Sequence, residues 1–352
     1  MEEVVKKQDI RSLGLAELKS YFTSIGEKGF RAKQVYEWLW NKSAIDFDTM
    51  TNLSFSLREK LKVHFEILPV IVEEKQLSSD GTVKSAFKLY DGKITEGVLI
   101  PAGKRMTACV SSQVGCSLAC KFCATGRLKR LRNLDAAEIY DQVKLISDQA
   151  LQHHGEKLSN IVFMGMGEPL LNYKNVLKGI ELITSEEGLG MAARRITVST
   201  AGVAKMIKKL GDDEVRFSLA LSLHAANDEK RSKIMEINDS NDLKTLSEAL
   251  IYFYQKTKNN ITLEYIIFDN FNDTLEDAKE LWLFAKQFPS KVNIIEYNPI
   301  DGGDFIQAKI EKVDKFVDFL ENKGVTVNIR RSRGKDIDAA CGQLANKNAL
   351  TK

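Results

Sequence analysis

The chain is organised around Cys116-Ser117-Leu118-Ala119-Cys120-Lys121-Phe122-Cys123, in which three cysteines follow the spacing Cys-x3-Cys-x2-Cys. Thiolates are soft ligands that select zinc or iron–sulfur clusters. A structural zinc site usually takes its ligands as two close Cys/His pairs. No second pair exists, and the next histidine, His153, lies far along the chain. Three cysteines instead fit a [4Fe–4S] cluster with one open iron; a cysteine-rich structural turn is the alternative.

This spacing, with the aromatic Phe122 before the last cysteine, resembles the radical S-adenosylmethionine (SAM) superfamily. The resemblance implies that Cys116, Cys120 and Cys123 hold a [4Fe–4S] cluster. It also implies that the amino and carboxylate groups of SAM chelate the open iron. One electron then cleaves SAM to a 5′-deoxyadenosyl radical.

Composition describes an ordinary globular protein. The 352 residues are 43% hydrophobic and 28% charged, enough for one large α/β domain and a small one. The segment Met1–Lys7 is charged and lacks the apolar run of a signal peptide. No stretch of ~18 apolar residues could span a membrane. We therefore expect a cytoplasmic protein with no membrane partner, and five cysteines are too few for a disulfide framework.

The distribution of positive charge is more informative than the net charge of +3. Residues 101–133 carry basic side chains and no acidic one, and a second basic run lies close to Cys341. Charge runs are usually solvated surface. Two runs that flank reactive cysteines instead favour a polyanion delivered to the cluster. The basic residues are Lys104, Arg105, Lys121, Arg127, Lys129, Arg130 and Arg132 in the first run, and Arg330, Arg331, Arg333 and Lys335 in the second.

The chain is expected to divide into four parts. Residues 1–65 predict a small helical accessory domain, because apolar residues recur there at helical spacing. Residues 66–100 predict a β segment that leads into a catalytic core over 101–345, followed by a tail over 346–352. The first helix is predicted around Leu13–Phe22, the second around Val35–Leu39 with Trp38 and Trp40 in the core, and the third through Leu57, Leu61 and Phe65.

Short apolar strands alternate with helical patterns along the core. Such alternation predicts parallel pairing with right-handed crossovers. About six units would curve into a partial barrel, short of the full eight. The fold class is therefore α/β, a partial (β/α)6 barrel. Strands are predicted at 106–111, 160–166, 195–200, 215–224, 261–268, 292–298 and 325–330, and helices at 136–151, 174–186, 242–256, 274–287 and 309–322.

Polar residues stand where several of these strands end. Function collects at the carboxyl ends of strands in βα barrels. One such strand end is Met164-Gly165-Met166-Gly167-Glu168-Pro169. Its two glycines would let the backbone come close to a ligand, and the carboxylate of Glu168 could accept a hydrogen bond from an ammonium group. Each residue alone could be a local turn or cap, but together they predict a cofactor cradle. The candidates are Gly167, Glu168, Ser199, Ser222, Leu223, His224 and Asn298.

Two further cysteines stand outside the triplet. Cys109 lies just before it, and Cys341 follows the last strand close to Arg331 and Arg333. Each could be a small buried hydrophobe. A loop cysteine beside cations is instead a candidate thiolate. Both are expected at the mouth of the barrel, one as nucleophile and one as resolving thiol.

Longer motifs narrow the resemblance. Cys109-Val110-Ser111-Ser112-Gln113-Val114-Gly115-Cys116, Met164-Gly165-Met166-Gly167-Glu168-Pro169 and Asp336-Ile337-Asp338-Ala339-Ala340-Cys341-Gly342-Gln343-Leu344 closely resemble the RlmN/Cfr family of RNA adenine methyltransferases. The resemblance covers nearly the whole chain, including the helical start Gly26–Ala32.

The resemblance implies a mechanism that uses two SAM molecules per turnover. One SAM methylates Cys341, and the radical from a second abstracts hydrogen from that S-methyl group. The methylene radical adds to a carbon of an adenine base that is flipped out of its stack. Cys109 then resolves the protein–RNA adduct and ends in a disulfide with Cys341. Glu96 matches the proposed proton acceptor, although the residues alone suggest only an exposed strand carboxylate.

Two outcomes compete within the family. Methylation at C2 of adenine is favoured by Met166-Gly167-Glu168-Pro169 and by the full N-terminal unit, and methylation at C8 is the alternative. The implied substrates are 23S rRNA near the peptidyl-transferase centre and the tRNA adenosine 3′ of the anticodon. A flavodoxin or ferredoxin is the implied electron donor, and a monomer is expected. An iron–sulfur protein that only binds RNA or senses redox state would need the triplet but not Cys341.

Overall fold

The structure is a computed structural model that describes residues 7–347. Of the predicted tail, only residues 346 and 347 are described, and the rest lies outside the described residues, as does most of the charged start. In the described part of the chain no helix is long and apolar enough to cross a membrane.

The N-terminal unit contains the three predicted helices. A hydroxyl begins the third, because Ser54 Oγ accepts the Leu57 N–H at 3.3 Å. Two details of the prediction were wrong. Phe65 opens a short strand instead of continuing the helix, and Trp38 is only partly buried, because its indole N–H donates to Asn52 Oδ1 at 2.6 Å. The elements are β1 (Gln8–Asp9), α1 (Leu15–Ser24), α2 (Phe30–Trp40), α3 (Phe55–His64) and β2 (Phe65–Glu66), with β1 and β2 paired in parallel.

A buried arginine fastens this unit to the core. Arg11 is 8% exposed, and its guanidinium lies 2.7 Å from Asp141 and 3.2 Å from Asp9. Asp141 also accepts the Val70 N–H at 3.0 Å. The Tyr140 hydroxyl donates to the carbonyl of Trp40, which is fully buried between the two parts. The accessory unit and the core therefore share one continuous apolar interior.

The predicted β segment is part of the main sheet. The strands β3 (Ile71–Leu77), β4 (Val83–Lys88) and β5 (Ile94–Ala102) are antiparallel, and β5 pairs with the first strand of the core. Between β3 and β4, Asp80 Oδ1 accepts the Thr82 N–H at 3.0 Å, which forms the turn. The proposed domain boundaries themselves stay a prediction.

The core alternates parallel strands and helices as predicted, with two short helices, α6 and α7, that the sequence pattern did not reveal. A helix lies in each connection between successive parallel strands from β6 onward. The elements are β6 (Arg105–Cys109), β7 (Gln113–Val114), β8 (Arg132–Asn133), α4 (Ala136–His154), β9 (Leu158–Phe163), α5 (Tyr173–Thr184), β10 (Ile196–Thr200), α6 (Ala204–Asp212), β11 (Ser218–Ser222), α7 (Asp228–Ile234), α8 (Leu243–Thr257), β12 (Ile261–Ile267), α9 (Leu275–Ala285), β13 (Ser290–Glu296), α10 (Ile310–Asn322) and β14 (Val327–Arg330).

Across residues 7–347 the sheet has ten strands in the order β14-β13-β12-β11-β10-β9-β6-β5-β4-β3. Its edges are β14 and β3, so the barrel does not close, as the partial-barrel prediction requires. Every residue of β12 is buried, which is typical of a parallel strand covered on both faces. The carboxyl ends of β6 and β9–β13 meet at one rim, and this rim carries the candidate site.

Candidate active site

The cysteine triplet lies in a loop that we call the cluster loop, residues 115–131. It runs from β7 to β8, and these two strands pair as a separate two-stranded sheet that closes its base. Gly115 has φ of 76°, and a Cβ there would lie 2.2 Å from the Lys129 carbonyl oxygen, so only glycine fits. Within the loop the Cys123 N–H donates to the Cys120 carbonyl at 3.2 Å. This folding brings Cys116, Cys120 and Cys123 to one cavity.

The three thiols fit a polynuclear cluster better than a single metal ion. All three are free cysteines, and no group of three His, Cys, Asp or Glu side chains in the described part of the chain converges on one ion. In a [4Fe–4S] cluster each cysteine binds a different iron, so the thiols need only surround a common space. Burial raises the pKa of Cys116 to about 11, and it also raises the pKa of Cys120 and of Cys123. Cluster binding would therefore have to release their protons.

The turn after β9 forms the next wall of the cavity. Gly167 has φ of 96°, and a Cβ there would lie 2.5 Å from the Gln113 Cβ, so only glycine lets the turn pack against Gln113. Glu168 is 3% exposed, and its carboxylate accepts the Leu170 N–H at 3.0 Å and the Ala201 N–H at 2.8 Å. Burial nevertheless raises the pKa of Glu168 to about 7. A cation such as the ammonium of SAM would stabilise its charged form.

The ends of β10 and β11 supply neutral polar groups. Ser199 Oγ and Ser222 Oγ lie 3.4 Å apart, and both residues line the cavity. His224 lines it too, and its Nδ1 accepts the Ile266 N–H at 3.0 Å. Burial lowers the pKa of His224 to about 3, so its ring is neutral and carries its proton on Nε2. These groups can hold hydroxyls or a base edge by hydrogen bonds.

Two candidates have different surroundings. Leu223 is fully buried in the core, and its carbonyl accepts from Arg231 Nε at 3.1 Å, so its side chain is not brought to the cavity. Asn298 is 4% exposed, and its amide group donates to the Cys341 carbonyl at 3.3 Å. Its Oδ1 is buried without a partner in the described residues. Buried acceptors are normally paired, so this oxygen is suited to a ligand donor.

Cys341 lies in the wall between two cavities. The cluster cavity holds about 880 Å³ of space, counted to its open mouth. A second cavity of about 550 Å³ is lined by Cys109, Arg331 and Arg333, and Cys341 lines both. Cys109 is the last residue of β6, inside the strand predicted at 106–111, and it is buried, which raises its pKa to about 12. The structure therefore brings both cysteines to one cavity beside the cluster loop.

Comparison with known proteins agrees with this geometry. A model of the ribosomal RNA large subunit methyltransferase N-terminal domain matches residues 8–67, and the radical SAM superfamily model matches residues 110–281. A protein of Cytophaga hutchinsonii named "probable dual-specificity RNA methyltransferase RlmN" is 61% identical over 97% of this chain and 94% of its own. The dual-specificity RNA methyltransferase RlmN of Geotalea uraniireducens is 44% identical over 97% and 98%.

The chain belongs to the RlmN family. A crystal structure of a radical SAM methyltransferase from Sphaerobacter thermophilus matches with a TM-score of 0.90 and 37% identity, over 96% of this chain and 99% of the other. The α/β radical SAM fold with an N-terminal helical unit, predicted from the sequence, is thereby confirmed. Membership of the RlmN family implies a [4Fe–4S] cluster and SAM, and the cavity described above has the residues to hold them.

Glu96 is not the exposed carboxylate that its sequence context suggested. It lies on β5, where it is 3% exposed. Its Oε2 accepts the N–H groups of Ala345 and Asn346, and its Oε1 lies 3.7 Å from Lys84 Nζ. In this RlmN family member Glu96 therefore holds the chain segment just beyond Cys341. Strand alternation alone could not reveal this contact, because its partners are more than two hundred residues away in the sequence.

Sequence reasoning missed a buried ion pair at the site. Glu264, near the middle of β12, is 3% exposed and lies 3.2 Å from Arg330 Nη1. Arg330 lines both cavities, as Cys341 does. Burial alone would lower the pKa of Arg330. The pKa is raised instead, because the nearby groups of Cys341, Glu264 and Cys109 favour the charged guanidinium. The sequence did contain a signal for this pair, because Glu264 is a carboxylate in the middle of an otherwise largely apolar strand.

The basic side chains of the two runs differ in how firmly protein partners hold them. Arg132 lies 2.7 Å from Asp91 and 2.8 Å from Glu138, and Arg127 donates to the Gly302 carbonyl at 2.6 Å, so both support the fold. Lys129 and Arg130 are exposed on the cluster loop. Lys335 lies 3.0 Å from Glu296, and Arg333 lies 3.9 Å from Asp80. Both Arg331 and Arg333 line the second cavity.

Proposed function

We propose that this protein methylates C2 of an adenosine in 23S rRNA and of the adenosine 3′ of the anticodon in certain tRNAs, with the methyl group carried on Cys341. One observation carries the proposal: Cys341 lines both the cavity of the cysteine triplet and the cavity that contains Cys109. A methyl carrier must reach the radical on one side and the adenine on the other. The relatives named as dual-specificity RNA methyltransferases support the choice of substrate.

The binding roles follow from the cavity walls. Cys116, Cys120 and Cys123 would hold the [4Fe–4S] cluster, and Glu168 would bind the ammonium of SAM. When bound, the cluster and SAM supply a radical able to abstract hydrogen from an S-methyl group. The remaining polar contacts to SAM would come from the wall residues Gly167, Ser199, Ser222 and His224. The backbone of Leu223 and the side chain of Asn298 do not line the cavity, but each is next to a residue that does, and they complete the proposed set.

Cys341 would act first as a nucleophile. Its thiolate displaces the methyl group from the sulfonium of one SAM, and the cation of Arg330 in the shared wall stabilises that thiolate. An adenine C–H carbon is not nucleophilic, so it cannot take the methyl group directly from SAM. The carrier solves this problem because its methylene carbon, once hydrogen is removed, can bond to the adenine carbon.

Cys109 would release the product. Glu96 would take the proton from the adenine carbon, and the unpaired electron of the adduct would pass to the oxidised cluster. The Cys109 thiolate would then attack the Cys341 sulfur and form a disulfide. The sulfur–carbon bond breaks, and its electron pair stays on the former methylene carbon. That carbon takes a proton and becomes the new methyl group. The two sulfurs have thus given up two electrons to the new methyl group, and an external reductant would restore the thiols.

Electron supply and oligomeric state complete the proposal. A flavodoxin or ferredoxin would deliver the electron to the cluster, and the protein would act as a monomer in the cytoplasm. Methylation at C8 is the alternative within the family. Within the RlmN/Cfr family, methylation at C2 is the RlmN-like outcome and methylation at C8 the Cfr-like one. The relatives are named RlmN, which supports C2.

The test is a product analysis. Reconstituted protein, SAM with an isotope-labelled methyl group, a one-electron reductant and an rRNA or tRNA fragment are incubated without oxygen. The RNA is then digested to nucleosides. We expect labelled 2-methyladenosine from wild-type protein and none from Cys341→Ala. Labelled 8-methyladenosine would select the C8 alternative, and no labelled nucleoside from either RNA would refute the proposal.

A further inference from the structure

Arg231 is a buried guanidinium directly behind the rim of the cluster cavity. It lies on α7 and is 0% exposed. Its Nη2 donates to the Ala201 carbonyl at 2.6 Å and to the Ser222 carbonyl at 3.2 Å, and its Nε donates to the Leu223 carbonyl at 3.1 Å. Ala201 and Ser222 line the cavity. One side chain therefore fixes the ends of β10 and β11 where the proposed cofactors would lie.

Among residues 7–347 no carboxylate forms an ion pair with Arg231: Asp228, which favours its charged form from nearby, is hydrogen-bonded to Asn238 at 2.9 Å and not to the guanidinium. The remaining hydrogen bond of Arg231, from Nη1, goes to the neutral Asn238 Oδ1 at 2.8 Å. Buried Arg11, in contrast, pairs with Asp141, and Arg330 pairs with Glu264. A buried charge without a counter-ion is costly. Burial lowers the pKa of Arg231 to about 10, which still leaves it charged at neutral pH.

The cluster loop packs against the helix that carries this charge. The Lys121 N–H donates to the Ile234 carbonyl at 3.1 Å, which joins the loop to the last residue of α7. Cys120 and Cys123 pack on the apolar group that contains Ala201 and Ile234. An anion in the cavity would supply the counter-charge that Arg231 lacks.

We propose that Arg231 is the counter-cation of the iron–sulfur cluster and raises its reduction potential. The proposal rests on the cluster of the proposed function, but not on the identity of the RNA. On reduction the cluster takes one electron from an external donor and gains one unit of negative charge. A fixed cation nearby stabilises the reduced form more than the oxidised form. Net charge and hydrogen bonding are among the factors that set such potentials.

The experiment measures the midpoint potential of the cluster without RNA. Reconstituted wild-type protein and variants are titrated with dithionite and mediators, and the reduced cluster is followed by electron paramagnetic resonance. Arg231→Gln removes the charge. Asn238→Asp keeps Arg231 and its bonds to the strand ends but sets a carboxylate against the guanidinium. Arg231→Lys retains a charge. Arg11→Gln, which removes a buried arginine from the N-terminal unit, is the matched control.

We expect Arg231→Gln and Asn238→Asp to make the reduction equilibrium at least tenfold less favourable, a shift of about 59 mV to more negative potential. Arg231→Lys should retain most of the wild-type potential, and Arg11→Gln should not change it. Iron content and thermal unfolding establish which variants hold an intact cluster. If Arg231→Gln does not fold, Asn238→Asp decides. An unchanged potential in Asn238→Asp with full iron content would overturn the proposal. Failure of all proteins, wild type included, to bind iron would instead contradict the proposed function.

Discussion

The carboxylate of Glu96 accepts the Ala345 N–H at 2.8 Å, which ties β5 to the segment just beyond Cys341. The same oxygen accepts the Asn346 N–H at 3.0 Å. Lys84 Nζ, 3.7 Å from Glu96, also donates to the Asp338 carbonyl at 3.5 Å on the other side of Cys341. The proposed proton acceptor is thus also a clamp on the segment that carries the methyl. Both N–H groups bond to Oε2, so Oε1, 3.7 Å from Lys84 Nζ, is the oxygen that could take a proton while the clamp stays in place.

The two roles of Glu96 can be separated by substitution. Glu96→Gln keeps an acceptor for the two N–H groups but cannot take a proton. We expect it to retain methylated Cys341, by mass spectrometry, while formation of methylated RNA falls at least a hundredfold. Glu96→Ala leaves the N–H groups unpaired and should lower the free energy of unfolding by about 1–3 kcal/mol. Glu73→Gln, on the exposed part of β3, is the control. Wild-type RNA methylation by Glu96→Gln would rule out its role as the base.

A covalent protein–RNA species should accumulate when the resolving thiol is removed. In Cys109→Ala, methylation of Cys341 should persist because Arg330 still lines its cavity. Turnover should stop after the methylene carbon has bonded to adenine, since no thiol remains in the second cavity to form the disulfide. Denaturing gels and mass spectrometry of the nuclease-treated protein would detect the adduct. Cys341→Ala should give neither adduct nor methylated RNA. An active Cys109→Ala enzyme with unmodified Cys341 would contradict the mechanism.

Affinity for RNA should depend on only part of the first basic run. Lys129 and Arg130 are exposed, so replacing each with Gln should reduce the slope of log K against log salt by about one unit for each phosphate that is no longer neutralised. Arg132→Gln should instead lower the free energy of unfolding by about 1–3 kcal/mol, because it leaves the carboxylate of Glu138 buried without its cation. Salt titrations with an RNA fragment and urea unfolding distinguish the two effects. An unchanged slope in the double variant would make these residues ordinary solvated surface.

Local patterns predicted the scaffold well and the long-range contacts poorly. The strand after Asn260 and the helix after Thr274 follow from apolar periodicity and from a cap, Thr274 Oγ1, that accepts the Asp277 N–H at 3.2 Å. The helix that carries Arg231 was missed because it is short and mostly charged. The burial of Glu96 and the pair Glu264–Arg330 depend on residues distant in sequence, and no local rule contains that information. The cysteine spacing and the polar strand ends located the cavity, whereas the role of Glu96 came only from the resemblance to a known family.

The carboxyl group of Glu168 should make stability depend on pH in a defined direction. Its pKa rises from the ordinary value of 4.5 to about 7 in the folded protein, chiefly through burial. Between these values the folded state binds more protons than the unfolded state, so stability falls as pH rises through this window. Glu168→Gln cannot ionise. Its free energy of unfolding should therefore rise relative to wild type between about pH 4.5 and 7, by at most about 3 kcal/mol, and then stay level.

Urea unfolding of cluster-free, reduced protein at a series of pH values measures this difference. Glu276→Gln, on the exposed face of α9, is the control and should show no such trend, because its carboxylate is largely solvated. The same Glu168→Gln variant should bind SAM at least tenfold more weakly after reconstitution, since it lacks the charge that the ammonium group needs. A flat difference between wild type and Glu168→Gln across the window would show that Glu168 is already ionised without a ligand. Unchanged SAM affinity would remove Glu168 from the proposed cofactor site.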